Sequence, residues 1–157
     1  MKRRIYLASS WRNPFQPEAL RLLRSAGHDV YDFRNPAPGE NGFSWAEIDK
    51  GWQDWTPEQF IAGLAHPIAQ HGYGFDKGGL DWADACVLLL PCGKSAHLEA
   101  GYSIGKGKPT LVVLMGAAEP ELMYLLAGSA ACIVPDLTHM LDGLAQLPRA
   151  LEYGARN

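Results

Sequence analysis

The sequence predicts an α/β fold, an open sheet of five parallel strands with helices on both faces. Three observations predict it. Short apolar runs alternate with segments of helical periodicity, the pattern of strand–helix–strand crossovers. The run Ala85-Cys86-Val87-Leu88-Leu89-Leu90 is continuously apolar, as expected of a central strand buried on both faces. The 157 residues, 47% hydrophobic and 20% charged, suffice for a single domain over residues 1–157 with its own core.

Taken in order, Ile5, Tyr6, Leu7 and Ala8 form a short apolar run that a polar turn ends, a first buried strand. A helix follows, with Leu20, Leu22, Leu23 and Ala26 on or near one face and Gly27 as its stop. Residues 28–33 read as the second strand, and Pro36, Pro38, Gly39 and Gly42 mark a loop. Residues 43–75 are less regular and hold Phe43, Trp45, Trp52, Trp55 and Phe60; Thr56-Pro57-Glu58-Gln59 has the form of an N-cap with proline at the first helical position. A helix is expected over 76–83, the strong strand over 85–90, a helix from Ser95 to Gly105, and a fourth strand over 110–115. A short helix over 120–127, a fifth strand over 131–134 and a closing helix over 137–153 complete the chain. The expected strand order is 2-1-3-4-5, a flavodoxin- or Rossmann-like arrangement. Its ligands bind beyond the carboxyl ends of strands 1 and 3, where the loops begin at Ser9 and Pro91.

Composition narrows the function. A formal net charge of −3 offers no general attraction to nucleic-acid backbones or anionic membranes, so an anionic substrate needs a local site. No run of about 18 apolar residues exists to span a membrane, and the apolar stretch after Lys2-Arg3-Arg4 ends too soon for a signal peptide. A cytoplasmic protein is expected. Cys86, Cys92 and Cys132 are odd in number and lack paired metal spacing, which reads as buried thiols in a reducing compartment. His66, His71 and His139 show no ligand spacing either. Neither metal nor cofactor is expected.

The densest chemistry lies in Pro91-Cys92-Gly93-Lys94-Ser95-Ala96-His97-Leu98-Glu99-Ala100-Gly101-Tyr102. Gly93 lets the chain turn tightly out of the strand. With Ser95 as N-cap, Glu99 lies about one turn into the helix, where the dipole and free N–H groups favour an anion. An ionised carboxylate in a cleft can attack a sugar carbon and form a covalent glycosyl intermediate. A glutamate so placed also serves simply to complement the helix dipole.

Ser95-x-x-x-Glu99-x-Gly101-Tyr102, behind a strand introduced by Ala83-Asp84, resembles the signature of nucleoside 2-deoxyribosyltransferases and of the related 2′-deoxynucleoside 5′-phosphate N-hydrolases. The opening Ile5-Tyr6-Leu7-Ala8 resembles their first strand, and the resemblance runs in order over roughly residues 3–135, patchily between 35 and 70. It implies that Glu99 is the nucleophile. It implies that Asp76, eight residues before Asp84, is the general acid for the departing base, with Asp81 its local competitor. An acid beside another carboxylate tends to keep its proton; a helix cap is the plain alternative for Asp76. Tyr6 matches the tyrosine whose hydroxyl orients the nucleophile, and packing of a core aromatic is its alternative. Ser10 and Arg12, with Ser9 opening the loop, match the Ser-x-Arg loop that binds a 5′-phosphate, for which such donors are suited. Leu122-Met123 resembles a segment that reaches into a neighbouring subunit's site, which implies a homo-oligomer.

Two positions depart from that pattern. Transferases carry an aspartate six residues before the nucleophile and N-hydrolases a serine; here it is Gly93, with Ser95 as the nearby substitute. His97 stands two residues before Glu99, where small residues are usual, and is a candidate for contact with a phosphate, a base or a water. The aromatics of residues 43–60 either stack on a base as a lid or fill the core of an insertion. The expected activity is cleavage of the N-glycosidic bond of a nucleoside or nucleoside 5′-monophosphate, with the sugar passed to another base or to water. A non-catalytic nucleotide-sensing module and an NAD glycohydrolase are the alternatives. Asp84, at a strand entry, reads as structural.

Overall fold

The computed structural model describes residues 1–116 and 119–148. In chain order its elements are β1 (Arg4–Ala8), α1 (Gln16–Ser25), β2 (Asp29–Tyr31), α2 (Pro57–Leu64), α3 (Pro67–Trp82), β3 (Ala85–Leu89), α4 (Lys94–Gly105), β4 (Thr110–Val113), β5 (Ile133–Val134) and α5 (Leu137–Gln146). They belong to two compact units, Met1–Tyr31 with the chain from Trp82 onward, and Asp32–Asp81.

The first unit is built on one parallel sheet in the order β2-β1-β3-β4-β5, as the sequence predicts. Strand alternation sorts its side chains by face. Ile5, Leu7, Val87, Leu89, Leu111 and Val113 join Ala19 and Leu23 of α1 and Met140 and Leu144 of α5 in one apolar core. The intervening Tyr6, Ala8, Cys86, Leu88 and Val112 are buried too. Theirs is the opposite face, where α4 packs on β1, β3 and β4. A sheet covered on both sides needs apolar residues at every position, which is why β3 shows no alternation. Full burial of each large aliphatic here contributes about 1.5–3 kcal/mol.

Polar groups fix the ends of the sheet. Asp84 accepts from the Arg4 backbone N–H at 3.1 Å and faces Arg4 Nε at 3.4 Å, while the Asp84 N–H donates to Arg4 O. It ties the entry of β3 to β1, the structural role expected of it. Arg3 is buried and donates to Leu147 O at 2.6 Å and Pro148 O at 3.0 Å, holding the chain beyond α5.

Several predicted elements differ in extent. The short helix over 120–127 is a 3-10 turn, Leu122–Ala127, with Glu121 accepting from Met123 N. The predicted fifth strand loses its first half to a 3-10 turn, Ala130–Cys132. The closing helix ends at Gln146, and its predicted residues from 149 onward lie outside the described ones.

The second unit carries α2 and nearly all of α3. Thr56 and Gln59 form the reciprocal capping box of α2, with Pro57 at the first helical position. The aromatic residues pack on one another: Phe43 and Trp55 each meet the Trp45 ring edge-on, at centroid distances of 4.7 and 5.7 Å. Trp55 lies so close to α2 that a Cβ at Gly63 would meet its ring at 2.4 Å. Trp45 and Trp55, both half-buried, thus pack within this unit. Among the described residues no helix is long and apolar enough to cross a membrane.

Candidate active site at the carboxyl end of the sheet

β1 and β3 are neighbours whose chains leave in opposite directions, β1 toward β2 and β3 toward β4. The loops after them flank the crevice that such a switch point creates. Ser9 and Asn13 lock these loops together. The Ser9 hydroxyl donates to Leu89 O at 3.0 Å, and Asn13 Nδ2 donates to Ser9 Oγ at 2.9 Å and to Leu89 O at 3.2 Å. Asn13 Oδ1 accepts from Phe15 N at 2.8 Å, so this side chain, 1% exposed, also sets the entry to α1. Ser10 Oγ accepts from Arg12 N at 3.2 Å within the same turn, which leaves the Arg12 side chain exposed.

On the other loop, α4 starts earlier than predicted. Its N-cap is Gly93, in an extended conformation with φ −99° and ψ −158°, and no side chain caps the helix. Ser95 is not the cap; it lies in the first turn and is exposed. The chain turns at Gly93 because the helix begins directly at Lys94. Glu99 then falls in the second turn, where the dipole is weaker than the sequence reading assumed. Its carboxylate is half-buried, and its negative charge reaches Cys86 in β3 and Cys92 beyond it. Burial first, and Glu99 second, push the Cys92 thiol up to about 11; burial is also the main cause that lifts Cys86 to about 12. Neither is a thiolate at neutral pH, so neither serves as a nucleophile.

His97, one turn after Gly93, is held at both ring nitrogens. Nδ1 lies 2.8 Å from Gly93 O, which can only accept, so Nδ1 carries a proton. Nε2 lies 2.9 Å from the Tyr124 hydroxyl, and the two rings stack at 5.8 Å. His97 thereby pins the 3-10 turn Leu122–Ala127 to α4. Desolvation raises the Tyr124 phenol pKa, so it remains a neutral donor. Met123 is exposed on the same turn, beside Leu122, Leu125 and Leu126, all more than half exposed.

Tyr6 is fully buried on the α4-covered face of the sheet. It stacks on Tyr31 at 5.1 Å and 14°, because parallel pairing puts Tyr6 and Tyr31 in register. Asp76 belongs to the other unit. It is half-buried in the interior of α3, far from the helix start at Pro67, so it is not the N-cap of that helix. It lines a shallow cleft with Glu40, Phe43, His71 and Phe75. Asp81 is exposed and paired with Lys77.

Sequence reasoning passed over Asn13, Tyr31 and Tyr124. Their contacts arise from strand register and loop closure, which no local motif announces. Among the described residues no three His, Cys, Asp or Glu side chains gather as a metal site would require.

The sheet order and its helices define an α/β chain of the open, parallel-sheet class. No protein-family model matches the chain, and no curated protein matches it in sequence. Solved structures do match. One is the 2-deoxyribosyltransferase of the psychrotolerant bacterium Bacillus psychrosaccharolyticus, with a TM-score of 0.60 and 22% identity over 89% of this chain and 90% of that one. The chain has a nucleoside 2-deoxyribosyltransferase-like fold.

Proposed function

We propose that this chain is an enzyme that cleaves the N-glycosidic bond of a nucleoside or nucleoside 5′-monophosphate. The observation that carries the reading is the coincidence of fold and residue. In a fold like that of a 2-deoxyribosyltransferase, Glu99 stands half-buried on α4, near enough for its charge to be felt at Cys92 in the loop after β3. In the first step a Glu99 oxygen attacks the anomeric carbon. The bond to the base breaks, its electron pair stays on the base nitrogen, and Asp76 supplies the proton that neutralises it. In the second step water or another base attacks the same carbon, Glu99 leaves, and Asp76 recovers a proton from the attacking group. Tyr6 orients the Glu99 carboxylate, and the loop of Ser9, Ser10 and Arg12 receives a 5′-phosphate where the substrate carries one. Gly93, Ser95 and His97 border the sugar. The exposed apolar turn around Met123 is covered by a second copy of the chain, since contiguous apolar surface of this kind marks an interface. A cytoplasmic setting suits free thiols and a nucleotide substrate.

The test is a panel of nucleosides, 5′-monophosphates and NAD, with and without an acceptor base, followed by chromatography for free base. Release that needs an acceptor makes the protein a transferase; release without one makes it a hydrolase. Release from NAD alone makes it a glycohydrolase of another kind, and no release anywhere leaves a binding module. In active pairs, Glu99→Gln lowers turnover at least about a thousandfold in a protein that still folds, the scale of a lost covalent nucleophile. Retained activity in that variant overturns the assignment.

A further inference from the structure

The cleft of the Asp32–Asp81 unit has a chemistry of its own. Phe43 and Phe75 supply flat apolar walls. Phe43 is set close to α3 by Gly72, where a Cβ would meet its side chain at 2.7 Å. The polar lining is almost wholly acceptor: Glu40, Glu47 and Asp76 contribute carboxylates, and no lysine or arginine is among the lining residues described. Glu47 spends one oxygen on Ser44 N at 3.2 Å. Glu40 is oriented by His71, whose Nε2–H faces Oε1 at 3.3 Å. His71 is in turn set edge-on against Phe75 at 4.9 Å. The second Glu40 oxygen has no role in that pair.

Three carboxylates repel a phosphate, so the anionic end of a nucleotide does not belong here. Flat walls and acceptors fit a planar heterocycle that carries N–H donors. Replacing an exocyclic amine by an oxo group at the same ring position turns a donor into an acceptor, which a carboxylate repels. We propose that this cleft is the base subsite and that Glu40, held by His71, selects bases bearing an exocyclic amine over their oxo counterparts. The proposal rests on the N-glycosidase reading for its link to catalysis, since Asp76 in the same cleft is the acid assigned there.

Free bases test the subsite without turnover. Calorimetric titration compares adenine with hypoxanthine and cytosine with uracil, on the wild-type protein, on Glu40→Gln and on His71→Asn. Wild type binds each amino base at least about tenfold more tightly than its oxo partner, the range for a hydrogen bond to a charged group. Glu40→Gln loses about ten- to a hundredfold toward the amino bases and less than threefold toward the oxo bases, and His71→Asn narrows the preference in the same direction. Equal affinity of wild type for amino and oxo partners, no binding of any base, or an unchanged preference in both folded variants overturns the proposal. If Glu40→Gln does not fold, the wild-type preference and His71→Asn decide. The catalytic reading fails separately: selective binding of amino bases with no base released from any nucleoside keeps the subsite and removes the reaction.

Discussion

In the proposed reaction a single exposed guanidinium, that of Arg12, is the group that would read a 5′-phosphate. Arg12 projects from a turn that Ser10, Ser9 and Asn13 tie to the end of β3. The loop backbone is thus fixed while the Arg12 side chain stays in solvent. In the proposed reaction Arg12→Ala weakens a 5′-monophosphate substrate by about 1.5–3 kcal/mol, a charge-assisted hydrogen bond's worth, and leaves the matching nucleoside nearly unchanged. Paired kcat/KM measurements on the two substrates check it; equal losses on both remove Arg12 from phosphate recognition. Glu99, Tyr6, Asp76 and Arg12 were visible in the sequence as candidates through the resemblance to the deoxyribosyltransferase and N-hydrolase patterns; spacing alone left Glu99 equally open to a helix-dipole role. Asn13 and Tyr31 were not, since their importance comes from the register of β1 with β2 and from closure of the loop onto Leu89 O. Ser95 was misplaced as the cap because a serine is a commoner N-cap than the glycine that holds the position.

At the scale of elements, β1, β3 and β4 were legible because each holds a continuous apolar run, β3 most of all. The start of α3 was hidden. Its first half, opened by Pro67, carries Gly72 and Gly74, which depress helix propensity, and the cost is borne by the packing that Gly72 permits against Phe43. Gly143 in α5 is the same device in the sheet unit. A Cβ there would meet Val134 Cγ1 at 2.8 Å and Leu111 Cδ1 at 3.0 Å. Gly143→Ala gains up to about 1 kcal/mol of helix propensity. Forcing two packed side chains apart costs about 1–3 kcal/mol, and a β-branched valine has little freedom to yield. Packing wins, so the variant is less stable by about 1 kcal/mol, which lowers Tm by about 2–4 °C in a chain of this size. Thermal unfolding followed by circular dichroism reads this directly; a rise in Tm shows that α5 can lift from β4 and β5 at no cost.

For the molecule as a whole, acid stability is shaped in part by His28. Its Nδ1 accepts from the Arg3 N–H at 3.1 Å, at the edge where β1 and β2 begin. Burial lowers its pKa from 6.5, the N-terminal ammonium and Arg3 push the same way, and Asp84 and Asp29 oppose them. A proton then binds the unfolded chain more readily than the folded one. The stabilisation is fully present above the ordinary imidazole pKa and is lost as pH falls through it toward the lower folded value. His28→Asn keeps an acceptor for Arg3 without titrating, so its melting temperature falls less than that of wild type between pH 8 and 5; parallel curves would remove His28 as a source. In the proposed reaction an acid matters most when the leaving group is poor, because only then does the departing base need its proton in the transition state. Asp76→Asn therefore slows cleavage of natural substrates by about a hundredfold or more, the range of general acid catalysis. A nitrophenyl glycoside of the same sugar leaves without help and loses far less, whereas Glu99→Gln abolishes turnover of both. Equal losses on the two substrates in Asp76→Asn would make Asp76 a residue that orients the sugar, and the exposed Asp81 beside Lys77 would be the next carboxylate to test as the acid.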